Sequence, residues 1–262
     1  MMRPLAEWRA DGIQGLVFDL DDTLTTHGKL TSAAYAAMER LNAAGRLVVP
    51  ITGRPAGWCD QIARLWPVDA VVGENGAFYF WHDAATATLR KRYHDPDDVR
   101  AQKRARLGAI AERILREVPG CALASDQSYR ETDLAIDYCE DVRALPLAAA
   151  ERIAALMREA GLNAKVSSIH VNGWFGGYDK LSMARQLFVE RFGIDLSASQ
   201  RRFAFAGDSP NDEPMFAFFG NSIGVANVTR FAGRLAAPPR YVTRGESGAG
   251  FVELIEHLLG AG

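Results

Sequence analysis

The sequence has few cysteines, no long apolar run and almost no excess of charge, and each absence excludes a class of protein. Cys59, Cys121 and Cys139 contain no close pair such as C-x-x-C, which argues against a disulfide framework or a zinc site. The longest apolar runs, such as residues 47–51, are too short to cross a bilayer, and the N-terminus lacks the apolar stretch of a secretion signal. We therefore expect a cytoplasmic protein with no membrane partner.

Charge is nearly balanced along the chain. The 262 residues include 30 basic and 32 acidic side chains, so the formal net charge of −2 gives no overall field that attracts nucleic acid. Hydrophobic residues make up 48% of the sequence, and no repeat or low-complexity tract interrupts it, which is typical of a folded globular protein. A small molecule is the expected partner, and the sequence leaves the oligomeric state open.

The order of the apolar segments predicts an α/β protein with a Rossmann-like, doubly wound parallel sheet. Residues 15–21 show the pattern of a buried strand that ends in carboxylates. A helix follows, beginning at Thr31 or Ser32 and ending at Gly45, and residues 47–52 form the next strand. Strand, helix and strand in this order are typical of a parallel sheet covered by helices.

The pattern changes between residues 84 and 176. A long helix with an apolar stripe from Leu107 to Val118 is followed by short extended pieces and a further helix. We therefore predict a discontinuous core of residues 1–83 and 177–262, and an inserted α+β cap domain of residues 84–176. This range is called the inserted segment below.

Four short motifs follow predicted core strands or begin a core helix. They are D-x-D-x-T with Asp19, Asp21 and Thr23, T-G-R with Thr52, Gly53 and Arg54, the helix start at Lys180, and G-D-S-P-N-D with Asp208, Asn211 and Asp212. The carboxyl ends of parallel strands meet at one edge of a sheet, where α/β proteins bind their ligands. The motifs are therefore expected to converge on one site, although they lie far apart in the chain.

In this order, the motifs DLDDT, ITGR, Lys180 and GDSPND resemble those of the haloacid dehalogenase-like phosphatase superfamily. The inserted segment is similar to the cap of class IIB members, which include Cof-type sugar phosphatases, sucrose and trehalose phosphate phosphatases, and phosphomannomutases. The resemblance covers the whole chain, with its motifs in the core, and one departure is Asp22, where many members carry glycine. It implies an Mg²⁺-dependent phosphatase for a small phosphorylated metabolite, with a sugar phosphate as the expected substrate.

The resemblance also implies a role for the main motif residues. Asp19 is the nucleophile that forms an aspartyl-phosphate, and Asp21 is the acid and then the base. Because a carboxylate repels a phosphate dianion unless a cation lies between them, Asp19, Asp21 and Asp208 are expected to hold Mg²⁺, Asp21 through its backbone carbonyl. Lys180 and Thr52 are expected to bind the phosphoryl oxygens.

The other motif residues are expected to bind phosphate or to orient the groups that do. They are Thr23, Gly53, Arg54, Asn211 and Asp212. Asn211 and Asp212 are assigned to the waters of the metal or to Lys180. For Arg54, phosphate binding and the capping of a neighbouring helix are equally compatible with the sequence.

Candidates for substrate contact lie outside the four motifs. Asn75 belongs to a G-E-N-G turn that resembles one near the active site of class IIB phosphatases, although such a turn also serves simply to reverse the chain. His170, Asn172 and Trp174 alternate along one predicted strand and so share a face. That face either closes over the site and contacts the substrate or is an exposed sheet face.

Two other functions fit part of the pattern. A phosphomutase shares the aspartyl-phosphate step but needs a cap that binds a sugar phosphate in two orientations, and only Arg130 and Arg143 lie near the candidate strands of the inserted segment. A non-enzymatic phosphoaspartate module also uses Asp, Thr and Lys around Mg²⁺, but its phospho-acceptor lies on a later strand. Here Asp19 begins the D-x-D motif and Asp21 is available to hydrolyse the intermediate, which favours the phosphatase.

Overall fold

A computed structural model describes residues 2–167 and 169–260 of the chain; residues 1, 168, 261 and 262, which fall in the predicted domain ranges, lie outside the described residues. Within the described ranges, the strands are β1 (Arg3–Pro4), β2 (Gly15–Phe18), β3 (Leu47–Pro50), β4 (Val71–Gly73), β5 (Phe78–Asp83), β6 (Thr88–Tyr93), β7 (Ala122–Leu123), β8 (Asp133–Asp137), β9 (Asn163–Val166), β10 (His170–Trp174), β11 (Phe203–Gly207), β12 (Asn221–Gly224) and β13 (Tyr241–Val242). The α-helices are α1 (Ser32–Ala43), α2 (Ala56–Leu65), α3 (Asp97–Glu117), α4 (Leu147–Glu159), α5 (Lys180–Phe192), α6 (Leu196–Ser199), α7 (Glu213–Phe218) and α8 (Ser247–Leu258).

A parallel sheet forms the centre of the fold. Among the described residues it has six strands in the order β1-β13-β12-β11-β2-β3, so β2 and β11 lie side by side in its middle. β2 is buried along its whole length, as its continuous apolar run predicts. Gly15 begins this strand at a close approach to β3, because a Cβ there would lie 2.7 Å from the carbonyl oxygen of Leu47. The predicted α/β fold with a parallel core sheet is confirmed.

Helices α1 and α5 begin at caps that neighbouring residues supply. Thr31 accepts a hydrogen bond from a backbone N–H in the first turn of α1, as expected from the sequence. Asp179 and Ser182 form a reciprocal capping box at the start of α5, and Gly193, in the left-handed conformation, ends that helix. The capping box fixes Lys180 as the first residue of α5.

A second, antiparallel sheet of β4, β5 and β6 continues the core sheet beyond β3. A parallel bridge between Ile51 and Val72 joins the two sheets. The predicted start of the inserted segment, residue 84, falls in the turn between the paired strands β5 and β6. The limits of the two domains therefore stay a prediction, and β6 extends the sheet at the edge of the core.

The inserted segment contains an antiparallel sheet with the strand order β7-β8-β10-β9 among its described residues. Leu134, Ile136 and Val171 pack with α3 and α4 in one apolar cluster. Because side chains alternate along a strand, His170 and Asn172 of β10 lie on the opposite face of the sheet. These two side chains line a cavity at the carboxyl edge of the core sheet.

Three observations on the sequence can be compared with the fold. Within the described residues, no helix is both long and apolar enough to cross a membrane. Cys59, Cys121 and Cys139 form no disulfide bond with one another, and Cys59 is buried. The cytoplasmic location stays a prediction, since neither feature tests it.

Candidate active site

The acidic motif residues meet at the carboxyl edge of the core sheet. Asp19 follows β2, and Asp208 follows β11, the neighbouring strand. Asp212 ends a short 3-10 turn, Pro210–Asp212, that comes directly after Asp208 and Ser209. One carboxylate oxygen from each of the three aspartates lies within 4.8 Å of the others, and all three residues are buried. Positions far apart in the sequence thus form one compact acidic cluster.

Lys180 is the cation of this cluster. Its Nζ atom donates hydrogen bonds to Asp19 Oδ1 at 2.6 Å and to Asp212 Oδ1 at 3.0 Å. The second oxygen of Asp212 accepts hydrogen bonds from the backbone N–H groups of Asp208 and Ser209, at 3.1 and 3.4 Å. Both oxygens of Asp212 are therefore used within the protein, where they orient Lys180 and the loop after β11.

The cluster contains more negative than positive charge. Burial raises the pKa of Asp19 to about 7, and Asp212 and Asp21 add to that rise against the opposing effect of Lys180. Burial and the neighbouring carboxylates also raise the pKa of Asp208 well above its ordinary value. Although burial lowers the pKa of Lys180, its two carboxylate partners raise it above the ordinary value, so the amine is protonated. Three buried carboxylates beside one ammonium group form a set that a further cation stabilises.

Two polar side chains orient Asp208. Thr23 Oγ1 donates to Asp208 Oδ1, and Asn227 Nδ2 donates to Asp208 Oδ2, each at 3.3 Å. Asn227 also donates to the backbone carbonyl of Asp22 at 3.0 Å. Asp22 has a φ of 57°, in the left-handed region, which explains why glycine suits this position in other sequences. Asn227 was not predicted as a site residue, because no motif surrounds it.

Arg54 holds Asp21. Its Nε and Nη2 atoms donate to the two carboxylate oxygens of Asp21 at 2.9 to 3.1 Å. Nη2 also donates to Glu140 of the inserted segment at 3.0 Å, and Nη1 lies 3.6 Å from Asp126. The Asp21 side chain keeps 24% of its surface exposed, whereas that of Arg54 keeps 6%. Asp21 therefore has a fixed orientation and still reaches the cavity.

Glu140 is a second acidic partner of Arg54, and no local pattern in the sequence indicates it. Its Oε2 atom lies 2.8 Å from Nε2 of the buried His170. His170 and Arg54 together lower the pKa of Glu140 to about 2, so this carboxylate is ionised. A chain of charged and polar groups thus runs from the inserted segment, through Glu140 and Arg54, to Asp21 in the core.

The T-G-R loop is rigidly held. Thr52 is fully buried; its hydroxyl oxygen accepts from the backbone N–H of Arg54 at 3.0 Å, and its carbonyl accepts from that of Asn75 at 3.1 Å. A hydroxyl that accepts one hydrogen bond keeps its own hydrogen for donation. Gly53 approaches Asn75 closely, because a Cβ on Gly53 would lie 3.2 Å from the Asn75 side-chain amide. These contacts fix the T-G-R loop to the turn that carries Asn75.

A narrow cavity opens over Asp19. The side chains and backbone that line it are those of Asp19, Asp21, Gly53, Arg54, Asn75, Asp208, Ser209 and Asn211 in the core and Arg130, Ser167, Ile169, His170 and Asn172 in the inserted segment. The space open to the centres of water-sized molecules is about 30 Å³. Trp174 lines a neighbouring cavity with Lys180, and its Nε1 donates to the carbonyl of Tyr178 at 3.1 Å. Of the three residues predicted to share a face, His170 and Asn172 thus reach the cavity over Asp19, and Trp174 does not line it.

Asn75 presents an unusual amide to this cavity. Its φ is 57°, and its Nδ2 atom is buried without a hydrogen-bond partner among the described residues. A buried donor without a hydrogen-bond partner is costly. Because this one lies beside a cavity, it points to a ligand that accepts a hydrogen bond from Asn75. Asn211 lines the same cavity, and its Oδ1 accepts from the hydroxyl of Ser209 at 2.8 Å.

Arg130 connects the inserted segment with the T-G-R loop. It donates to the carbonyl of Gly53 at 2.9 Å, to Asp133 Oδ1 at 3.0 Å and to Asp126 Oδ1 at 3.0 Å. Asp133 in turn accepts from Asn172 Nδ2 at 3.0 Å. The position of Arg130 near the candidate strands suggests only a sugar-phosphate ligand of a mutase. Its charge is instead paired within the protein, where it orients one wall of the cavity.

Arg130→Met is expected to lower the free energy of unfolding by about 3–5 kcal/mol, since it leaves the buried Asp133 without its cation and the buried Asp126 with only Arg54, at 3.6 Å. Arg130 is 2% exposed, Asp133 1% and Asp126 5%. Urea denaturation measures the change. The matched control is Arg143→Met, at an exposed arginine of the same segment, which should change stability by less than about 0.5 kcal/mol. Equal stability of the two variants would contradict the structural role of Arg130.

Comparison with known proteins agrees with this site. Residues 16–105 match the family model of the haloacid dehalogenase-like hydrolases. A phosphoglycolate phosphatase of Pyrobaculum neutrophilum is 32% identical over 257 residues, which cover 96% of this chain and 98% of the relative. A phosphoglycolate phosphatase of Methanothrix thermoacetophila is 26% identical, over 95% of this chain and 99% of the relative. The chain belongs to the haloacid dehalogenase-like hydrolase family. Within that family it is a phosphatase.

Solved structures share the fold over nearly the whole chain. A crystal structure of a Thermoplasma acidophilum protein has a TM-score of 0.71 at 17% identity and covers 94% of this chain and 98% of its own. The sucrose-phosphatase of Synechocystis, solved with sucrose and phosphate, has a TM-score of 0.62 at 18% identity with the same coverage, 94% and 98%. At such identities the likeness concerns the fold alone. It agrees with the fold expected from the class IIB resemblance of the inserted segment.

Proposed function

We propose that this phosphatase hydrolyses a small phosphomonoester through an aspartyl-phosphate on Asp19. One observation carries the proposal: the buried Asp19 carboxylate lies at the end of β2, hydrogen-bonded to Lys180 at 2.6 Å, and lines the cavity. An oriented carboxylate beside a fixed ammonium group is suited to attack a phosphoryl group and to neutralise part of its charge.

Mg²⁺ is the proposed cofactor. The acidic cluster offers buried oxygen ligands and an excess of negative charge, which suit a hard divalent cation. We assign the carboxylates of Asp19 and Asp208 and the backbone carbonyl of Asp21 as ligands, because Asp212 already bonds Lys180 and the loop after β11. When bound, the ion supplies positive charge that reduces the repulsion between the nucleophile and the phosphate.

Each step of the proposed reaction has a residue on this chain. Asp19 attacks phosphorus while protonated Asp21 donates its proton to the leaving oxygen. Asp21, now a carboxylate, takes a proton from the water that attacks the aspartyl-phosphate, and the bond between phosphorus and Asp19 breaks to release phosphate. Lys180 and the Thr52 hydroxyl hold the phosphoryl oxygens, and Arg54 keeps Asp21 in place between the two steps.

The inserted segment, residues 84–176, is proposed to act as a cap over this site. His170 and Asn172 line the cavity, and Glu140 accepts a hydrogen bond from Arg54 of the core. A cap that excludes bulk water during the first step favours phosphoryl transfer to Asp19 and must open to release products. These contacts support the cap role.

The proposed substrate is a small phosphorylated acid such as 2-phosphoglycolate. Two relatives that match over nearly their whole length are named phosphoglycolate phosphatases, and the cavity is narrow. A sugar phosphate, which the class IIB resemblance implies, is the second candidate. The two classes share the phosphomonoester and differ in bulk and in the charge of the leaving group, so they can be separated by rate.

Phosphate release from a panel of phosphorylated acids and sugar phosphates, with Mg²⁺ and with EDTA, tests both the substrate class and the dependence on Mg²⁺. We expect kcat/KM for 2-phosphoglycolate to exceed that for glucose 6-phosphate by at least about tenfold, because an enclosed site rejects a larger leaving group. EDTA should abolish release from every compound. A faster sugar phosphate would overturn the substrate but keep the reaction. An isomerised sugar phosphate without free phosphate would indicate a mutase.

Asp208→Asn is expected to weaken Mg²⁺ binding by at least about tenfold, since it removes a charged ligand. Mg²⁺ that binds the folded state raises Tm, so titration of Tm with Mg²⁺ measures the affinity independently of activity. Asp22→Asn is the matched control, because it removes a nearby carboxylate that is not a proposed ligand. Excess Mg²⁺ should partly restore phosphate release in the Asp208 variant. An equal dependence of Tm on the Mg²⁺ concentration in the two variants would contradict the assignment of Asp208 as a ligand.

A further inference from the structure

Glu74 is a buried carboxylate of the core that the proposed reaction does not use. It has no exposed surface, and its two oxygens accept five hydrogen bonds within the protein. The donors to Oε1 are the backbone N–H groups of Ala56 and Glu131, both at 2.9 Å; the donors to Oε2 are Thr132 N at 2.6 Å, Thr132 Oγ1 at 2.5 Å and Asp133 N at 3.2 Å. A carboxylate with so many donors, mostly backbone, holds a defined piece of chain rather than a single side chain.

These donors come from two parts of the molecule. Ala56 is the first residue of α2, and Pro55 before it supplies no side-chain cap, so Glu74 satisfies one of the free N–H groups of that helix. Residues 131–133 belong to the inserted segment. One carboxylate therefore bonds the helix that follows the T-G-R loop and the backbone of the inserted segment at the same time.

The turn that carries Glu74 has a disfavoured backbone. Three consecutive residues have positive φ, 42° at Glu74, 57° at Asn75 and 107° at Gly76. A Cβ at Gly76 would lie 2.1 Å from the carbonyl oxygen of Asp179, directly before Lys180. Such conformations persist where the surroundings impose them, and they cluster at functional sites. Here the turn directs the Glu74 carboxylate to the inserted segment while Asn75 lines the cavity.

Residues 131–133 lie between groups that form the wall of the cavity. Arg130, immediately before them, donates to the carbonyl of Gly53 in the core at 2.9 Å. Asp133 accepts from Asn172, which lines the cavity, at 3.0 Å. A displacement of this backbone would therefore move Arg130 and Asn172 relative to Asp19.

We propose that Glu74 is a positioning residue that fixes residues 131–133 on the core and so holds the inserted segment over the active site. Glu74 acts through the backbone that it binds and does not touch the substrate. The structural part of the inference stands independently of the reaction; its effect on KM rests on the proposed function.

Glu74→Gln tests the inference by amide hydrogen exchange and kinetics. The amide group of glutamine replaces one acceptor oxygen by NH₂, which cannot accept from backbone N–H groups. We expect peptides that contain residues 131–133 to exchange at least about tenfold faster, with little change in the core strands. KM for the best substrate should rise about tenfold, because the closed arrangement is less populated, while kcat falls by less than about threefold.

Two further variants keep the test decisive. Glu190→Gln is the matched control, since Glu190 also accepts hydrogen bonds from several side chains, Tyr79, Arg92 and Gln186, but none from residues 131–133; its exchange at 131–133 and its KM should equal those of the wild type. Thr132→Val removes one donor to Glu74 and should accelerate exchange at 131–133 about threefold even if Glu74→Gln does not fold. Unchanged exchange at these residues in Thr132→Val, or acceleration spread equally over the whole core in Glu74→Gln, would overturn the inference. If the wild-type protein had no phosphatase activity but Glu74→Gln still exchanged faster at residues 131–133, the proposed function would be wrong and the positioning role of Glu74 would be supported.

Discussion

Asp19→Asn is expected to abolish phosphate release, with a fall in kcat of about 10⁴-fold or more, because an amide oxygen cannot form the aspartyl-phosphate. The fold should tolerate the change. Asparagine has nearly the same shape, and Lys180 keeps its hydrogen bond to Asp212 at 3.0 Å. Burial already raises the pKa of Asp19 to about 7, so loss of its negative charge removes a charge that the folded protein disfavours. Release of phosphate under saturating substrate and Mg²⁺ measures the effect.

The control for this prediction is Asp60→Asn, which removes a partly exposed carboxylate from α2 that does not line the cavity over Asp19. It should retain activity within about twofold, since surface changes away from a site are nearly neutral. A Tm of Asp19→Asn at or above that of the wild type would show that the folded state is intact. Substantial turnover by such a folded Asp19→Asn protein would rule out the aspartyl-phosphate mechanism.

The core of the fold was predictable because its signals are local. The apolar run of β2, the cap of α1 at Thr31 and the capped start of α5 at Lys180 each depend on residues within a few positions. The convergence of the motifs then followed from the topology, since parallel strands bring their carboxyl ends to one edge of the sheet. β2 ends at Phe18 rather than at residue 21, and of the aspartates that follow it Asp19 joins the acidic cluster.

The contacts between the core and the inserted segment were not predictable, because their partners are distant in sequence and have no motif. Arg54 bonds Glu140, and Glu74 bonds the backbone at residues 131–133; neither pair has a local signal. For Arg54, the T-G-R motif left phosphate binding and helix capping equally open, and it indicated no carboxylate partner. The G-E-N-G turn drew attention to Asn75, whereas its neighbour Glu74 makes the larger set of hydrogen bonds.

The alternation of β10 shows how far a pattern extends. A period of two correctly groups His170 and Asn172, which both line the cavity over Asp19. This period does not predict how many residues of that face lie over the cavity. Trp174, at the last position of the strand, packs in the core cluster and bonds the carbonyl of Tyr178. The sequence predicts on which face of the sheet a side chain lies. Which part of the core that side chain contacts depends on tertiary packing.

Asp21→Asn is expected to trap the aspartyl-phosphate on Asp19. With a substrate whose leaving group needs no proton, such as an acyl phosphate, the first step should proceed, but the attacking water has lost its base. Loss of a general base slows a step by about 10²–10⁴-fold, so the phosphoenzyme should accumulate. Intact-protein mass spectrometry should detect the mass of one added phosphoryl group, and a peptide containing Asp19 should carry it.

Asp22→Asn is a close control for this experiment, because asparagine tolerates the left-handed conformation at that position, where φ is 57°. It should turn over normally and accumulate no phosphoenzyme. Arg54 makes the comparison informative, since it donates two hydrogen bonds to Oδ1 and one to Oδ2 of Asp21, and asparagine keeps only one of these two acceptor oxygens. If Asp21→Asn instead released phosphate at the wild-type rate, the base would have to be another group of the cavity. If it formed no phosphoenzyme even from an acyl phosphate, Asp21 would be needed to place the nucleophile, not only to move protons.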